Sequence, residues 1–320
     1  MSRITLTGII PLTGLLLVAA SQHADKGFFE AERTDEGLRL TEKGQTVLFF
    51  RSKPVSRKGQ YTRNNYIHPL LSLSGDTLTE DFPDDHRHHR GIFWAWHQVW
   101  VGQQRLGDAW SCENFSWDIH RLETDIRRDM AVISVNTHWK SPAWKDADGN
   151  PEPFAEENTK ITVFPADNHI RKLKFKITVT SLTDSLRVGG SEDVKGYGGF
   201  SWRVKLPEDV MFTGSEGALM PETAAVKAGP WIYMYGTFSG NKPAGILMMS
   251  DPANPGDPEQ WVLREKHSMQ NAVFPGNIPV VLNHRDSFTL NYCMVIHEYP
   301  PAQFDPAEQY REYLENKANI

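Results

Sequence analysis

Cysteine is nearly absent: the 320 residues hold two, Cys112 and Cys293. Two thiols cannot staple a disulfide scaffold or fill a four-cysteine metal site. A chain of this length must therefore hold together by burying apolar surface. Two buried free thiols is the reading adopted for the pair. A basic excess is missing as well. Lys and Arg total 34 against 40 Asp and Glu, a net charge of -6, and no basic stripe runs through the sequence. That balance argues against nucleic acid as a partner. After the N-terminus no apolar run approaches the ~20 residues needed to cross a bilayer, so an integral membrane protein is not expected. Helical periodicity is scarce too.

The first residues read as a leader. Arg3 supplies a positive start, Ile9 to Ala20 an apolar stretch, and Val18-Ala19-Ala20-Ser21 small residues for cleavage. The expectation is a signal peptide over 1–21, a single domain over 22–320, and a periplasmic or extracellular protein. Losing Arg3 moves the charge from -6 to -7.

What is present is period-two alternation. Leu173, Phe175, Ile177 and Val179 alternate with Lys174, Lys176, Thr178 and Thr180, the pattern of a half-buried antiparallel strand. Phe200, Trp202, Val204 and Leu206 repeat it, as do Phe288, Leu290, Tyr292, Met294 and Ile296. Ile92 to Val101 is apolar on both parities and reads as one strand buried on both faces. Turn clusters separate these runs, among them Asp146 to Pro151 and Asp251 to Pro258. A single helix is predicted over Asp305 to Asn319, with Asp305 as cap, Pro306 at the first position, and Ala307, Tyr310 and Leu314 on one face. The fold class is all-β: a large antiparallel β-sandwich with a short C-terminal helix.

The densest chemistry lies at Asp84-Asp85-His86-Arg87-His88-His89-Arg90-Gly91. Imidazoles titrate nearest neutrality, so clustered His suits proton transfer or metal ligation. In an extended segment His86 and His88 face one way and His89 the other; all three converge only if the chain bends, which Gly91 permits. Catalytic candidates are His86, His88, His89 and Glu298, the last continuing the inward parity of Phe288 to Ile296. Substrate-binding candidates are Tyr66, His68, Arg90, Asn254, Trp261 and Arg264, which offer forked donors, ring faces and loop positions. His97, on a buried strand, reads as a core histidine and is set aside. No cofactor is expected; a divalent metal on the histidine cluster is the alternative.

The run Asp85-His86-Arg87-His88-His89-Arg90-Gly91 resembles the Asp-His-Pro-His-His-Arg-Gly signature of the bacterial PmoA-like family, a domain of unknown function, with Arg87 in the place of Pro. Asn65 to Leu70, Tyr197-Gly198-Gly199-Phe200, and Asn254-Pro255 through Trp261 and Arg264 resemble its other motifs in order, over roughly Tyr66 to Tyr299. The family's name invokes a membrane-bound methane-oxygenase subunit, a meaning that the lack of a membrane span after the leader argues against. The resemblance implies a super-sandwich similar to galactose mutarotase and its relatives, and the company of secreted sugar-processing proteins. The expected function is a secreted carbohydrate-active enzyme, a hydrolase, lyase or epimerase using His and carboxylate acid–base chemistry on a carbohydrate ligand. A non-catalytic sugar-binding module and a metal-dependent oxidoreductase are the other two readings.

Overall fold

The computed structural model describes residues 28–316 except 168, 239–241, 257, 258 and 267. The leader expected over 1–21 lies outside the described residues. Among those residues, two nine-stranded antiparallel sheets face each other. The first runs, in spatial order, Phe29–Arg33, Gly37–Glu42, Gln45–Arg51, Tyr66–Leu70, Ile92–Ala95, Gly199–Trp202, Gln270–Ala272, Gln260–Val262, Val226–Lys227. The second begins at the edge strand Ser116–Ile126 and continues through Ala131–Lys145, Pro151–Val163, Ile170–Ser181, Ser287–His297, Lys242–Ser250 and Trp231–Phe238 to Met211–Gly214 and Gly217–Leu219. No helix among the described residues is long and apolar enough to cross a membrane.

Alternation builds the core between the sheets. Leu173, Phe175, Ile177 and Val179 are buried, and Phe175 pairs across strands with Tyr292. Phe200, from the first sheet, meets both rings at 4.9 and 4.8 Å. These large rings exclude water over the centre of the sandwich and add to its apolar burial. One polar group also spans the gap. The buried Glu157 accepts hydrogen bonds from Asn65 and Trp94 on the first sheet's side and from Trp139 and Thr159 on its own.

Three sequence expectations are corrected here. Ile92 to Val101 is two strands, Ile92–Ala95 and Gln98–Val101, and they belong to different sheets. The chain leaves the first sheet at Trp96-His97 and enters a four-stranded sheet of Val280–Leu282, Leu186–Gly189, Gln98–Val101 and Gln104–Gly107. Burial on both sides disguised the break, because each strand is covered in its own sheet. The helix spans Pro306–Glu315, its expected end at Asn319 lying outside the described residues, and is capped by the Asp305 carboxylate on the N–H groups of Ala307 and Glu308. Its buried anchor is Tyr313, whose hydroxyl donates to Asp251 at 2.9 Å, while Leu314 is exposed. The helix covers the outer side of Ser287–His297, so Cys293, Val295 and His297 are buried on the parity that should have faced water. Both cysteines are free thiols.

Candidate functional site

On the strand Ile92–Ala95, Ile92 and Trp94 point into the sandwich, so Phe93 and Ala95 point to the first sheet's other face. Ser201 pairs with Phe93 and shares that face. The residues that enter and leave these strands carry the site.

Asp85 to Gly91 bends, as the gathering of its histidines requires. The His89 N–H donates to the His86 carbonyl at 2.9 Å, closing a turn. Gly91 sits at φ +44°, and a Cβ there would stand 1.9 Å from the Ile67 carbonyl oxygen, so only glycine fits. The turn stacks His86 on His89 at 4.7 Å and sets His88 edge-on to His89 at 4.6 Å. Arg203 grips the loop: its guanidinium donates to both oxygens of Asp85 at 2.9 Å and to Glu80 at 2.6 Å. Burial pushes the Asp85 carboxyl up, but the bonds from Arg203 and His86 outweigh it and bring it down to about 2. Burial, reinforced by the Arg63 and neighbouring His charges, lowers His88 to about 4, and the same causes hold His89 well below the ordinary imidazole range. At neutral pH both rings are therefore uncharged.

Beside this cluster lies a pair formed by Asp108 and His97, the histidine expected to be a core residue. His97 Nδ1 is 2.8 Å from Asp108 Oδ2. The hairpin of Gln98–Val101 and Gln104–Gly107 brings the two together, since Val99 pairs with Gly107. The Ser111 N–H donates to Asp108 Oδ1 at 2.8 Å and fixes the carboxylate. Burial raises the Asp108 carboxyl, yet the His97 hydrogen bond and charge leave it below the usual carboxylate range. A carboxylate on Nδ1 selects the tautomer and leaves Nε2 to act as acceptor.

Trp110 joins the two groups. Its ring lies 5.9 Å from His89, stacks on His97 at 5.4 Å and meets Tyr197 at 5.0 Å. Arg63, between the rings of Phe93 and Trp117, donates to the carbonyls of Ala109 and Trp110 and anchors that loop. Asn271 holds the Tyr197 segment through bonds to the Gly198 N–H and to the Gly198 and Phe200 carbonyls. Gly198 has no room for a side chain, because a Cβ would lie 2.8 Å from the Gly190 Cα. Three buried nitrogens in this ring cluster have no hydrogen-bond partner: His89 Nδ1, His97 Nε2 and Trp110 Nε1. Buried polar atoms are almost always paired, and these three, of twelve unpartnered ones among the described residues, gather in contacting rings. A polar groove of about 750 Å³ opens beside Arg203, lined also by Glu80, Lys205, Glu208, Glu265 and Lys266.

The expected single site is only partly assembled. His86, His88 and His89 come together. Arg264 has its guanidinium on the carbonyls of Glu222, Leu263 and Thr223, within electrostatic reach of Asp193. His68 is half-buried with Nδ1 on Thr79. Four other residues serve the fold. Arg90 is fully buried, clamped by Asp81 and Tyr66 and by the carbonyls of Val55 and Tyr61, and it underpins the loop from inside. Tyr66 is buried beneath it. Trp261 packs against Trp202 in the core with its N–H on the Gly229 carbonyl. Asn254 lies at the second sheet, tying Ser250 to the backbone of Asn291. Glu298 falls one residue past the end of its strand, where its carboxylate accepts from the Ser74 N–H and hydroxyl at 2.7 Å. The residues missed were His97, Asp108, Trp110, Tyr197 and Arg203. For the first two a signal existed: a His and an Asp bracketing a Gly-containing hairpin become neighbours.

The fold and this face define an all-β sandwich protein with a histidine-rich ring cluster. The chain belongs to the family described as a family of unknown function, DUF6807, which matches residues 37–310. Comparison with curated proteins gives no match. Among solved structures, a candidate aldose 1-epimerase of Escherichia coli K12 is similar at 9% identity and TM-score 0.41, over 85% of this chain and 99% of that one. Slr1438 protein of Synechocystis sp. PCC 6803 gives 10%, TM-score 0.40, 93% and 100%. A galactose mutarotase related enzyme of Lactobacillus acidophilus gives 7%, TM-score 0.37, 84% and 97%. Their activities are stated of those proteins alone.

Proposed function

We propose that this chain is a secreted carbohydrate-active enzyme that moves protons with histidine at the ring cluster around His89, His97 and Trp110. The observation that carries the reading is the set of three unpartnered buried nitrogens on contacting rings, one of them on a histidine backed by a carboxylate. His97 with Asp108 is the acid–base pair: Asp108 orients the ring and stabilises the imidazolium formed when Nε2 takes a proton. His89, held neutral by burial, contributes a hydrogen bond rather than a charge. The half-buried rings of Tyr61 and Tyr197 offer faces to the C–H side of a sugar, and the groove by Arg203 offers charges of both signs to its hydroxyls. The likeness of Asp85 to Gly91 to the PmoA-like signature supports the sugar class, and the leader at Arg3 to Ser21 supports a periplasmic or extracellular address. His97 and Asp108 take the role that Glu298 was expected to fill.

The test is a screen of glycosides and keto-glycosides with the purified chain, followed by His97→Asn and His89→Gln on any substrate found. His97→Asn is expected to lower kcat by about 10²- to 10⁴-fold with KM little changed. Sugar binding without turnover would replace the enzyme by a binding module. Full turnover in both variants would end the reading.

A further inference from the structure

Away from the ring cluster, on the solvent side of the second sheet, stands a group that the proposed activity does not use. The edge strand Ser116–Ile126 and its neighbours Ala131–Lys145 and Pro151–Val163 place His120, His138 and Glu156 side by side. His138 pairs directly with Glu156 across the ladder. His120 sits in a bulge, between the pairs Ile119 with Thr137 and Arg121 with Asn136, and the extra residue lays its ring over His138. The two ring centroids are 4.2 Å apart, and His120 Nε2 lies 3.8 Å from Glu156 Oε1. One ligand atom from each of the three falls within 4.8 Å of the others, the one such set of His, Cys, Asp or Glu among the described residues. His86, His88 and His89 form no such set.

We propose that His120, His138 and Glu156 bind one divalent transition-metal ion of the zinc class. Two imidazoles and one carboxylate are a borderline donor set, suited to zinc or copper(II) and poor for calcium or magnesium, which want oxygen alone. Metal–ligand bonds of about 2.0 to 2.2 Å in a tetrahedron put ligand atoms about 3.3 Å apart. Rotations of three partly exposed side chains supply that contraction, and the exposed fourth position takes water. The charges nearby are consistent with a cation. Lys140 is held by Asp118 at 2.7 Å, and the Asn136 amide only grazes Glu156 at 3.5 Å. The bound ion ties the sheet's edge strand to the next two and stabilises the fold by mass action.

The experiment is titration of the untagged full chain, stripped of metal by chelation, with zinc chloride, read by calorimetry and by thermal melting. The expected result is one zinc per chain at this site and a melting temperature that rises with zinc. His120→Ala and His138→Ala should each weaken the affinity at least about tenfold, the scale seen even for groups one step further from a metal. His89→Ala, at the ring cluster, should leave it unchanged. His120 is exposed on a bulge, so its variant keeps the fold, which circular dichroism checks. Three outcomes overturn the proposal: no uptake by the wild-type chain at millimolar zinc, unchanged uptake in both His120→Ala and His138→Ala, or uptake lost in His89→Ala alone.

Discussion

Trp94 of one sheet donates its indole N–H to Glu157 of the other at 2.6 Å, across the buried space between the sheets. Glu157 also receives Asn65, Trp139 and Thr159, and its carboxyl is pushed up by burial, against the pull of those four donors. Replacing it by glutamine exchanges one acceptor for a donor that faces a donor. Glu157→Gln should cost about 1 to 3 kcal/mol, seen as a lower urea midpoint at an unchanged slope. An unchanged midpoint would mean that the four bonds add nothing to stability.

Arg90 and His89 are adjacent in the chain and opposite in duty. Arg90→Ala empties a fully buried position and leaves the half-buried Asp81 without its guanidinium partner, which should cost about 3 to 5 kcal/mol in equilibrium unfolding. His89→Gln should change stability far less and turnover far more. The two variants compared in melting and in catalysis check this, and the reverse pattern would remove His89 from the site.

Gly91→Ala tests the turn itself. A methyl group 1.9 Å from the Ile67 carbonyl oxygen cannot be accommodated without moving two strands. The variant should melt clearly lower and lose the ring cluster with it. A wild-type melting curve would show that the loop does not depend on that bend.

Acid should destabilise the chain earlier than its carboxylates alone would. His88 and His297 are brought down to about 4 by burial, and His89 is well below the ordinary range. Unfolding restores each to about 6.5, so below that value the unfolded chain binds more protons. The stability these rings contribute is complete above pH ~6.5 and is lost as pH falls toward 4. Urea midpoints at pH 7.5, 6 and 5 should decline in that order; a flat series would contradict the buried neutral state.

Much of the fold was legible from alternation. Leu173 to Val179 and Phe288 to Ile296 face inward as their parity requires, because one side of each strand meets the core. Parity failed where a second layer covers the other side. Cys293, Val295 and His297 lie under the helix, and the end of one sheet at Trp96-His97 was hidden by burial on both sides. At the ring cluster, the histidine run was visible as composition. Arg90, Trp261 and Asn254 looked like ligand-holding groups, since a forked donor or an indole reads the same whether its partner is a sugar or a carbonyl. Only tertiary contacts tell these apart, and they assign all three to the framework. His97 was discounted for lying on a buried strand, although the hairpin after it carries Asp108 back to its side.

The clamp on Arg90 has a consequence for changing this protein. The backbone from Asp85 to Gly91 is fastened from the interior by Arg90, Asp81 and the Gly91 bend, and from the side by Arg203. Positions 87 and 88 take no part in that fastening, whereas His86 shares the Asp85 carboxylate with Arg203. Those two behave as replaceable bits on a fixed shank: a library randomised at 87 and 88 and left alone at 85, 86, 90 and 91 would explore new chemistries on one unaltered mount.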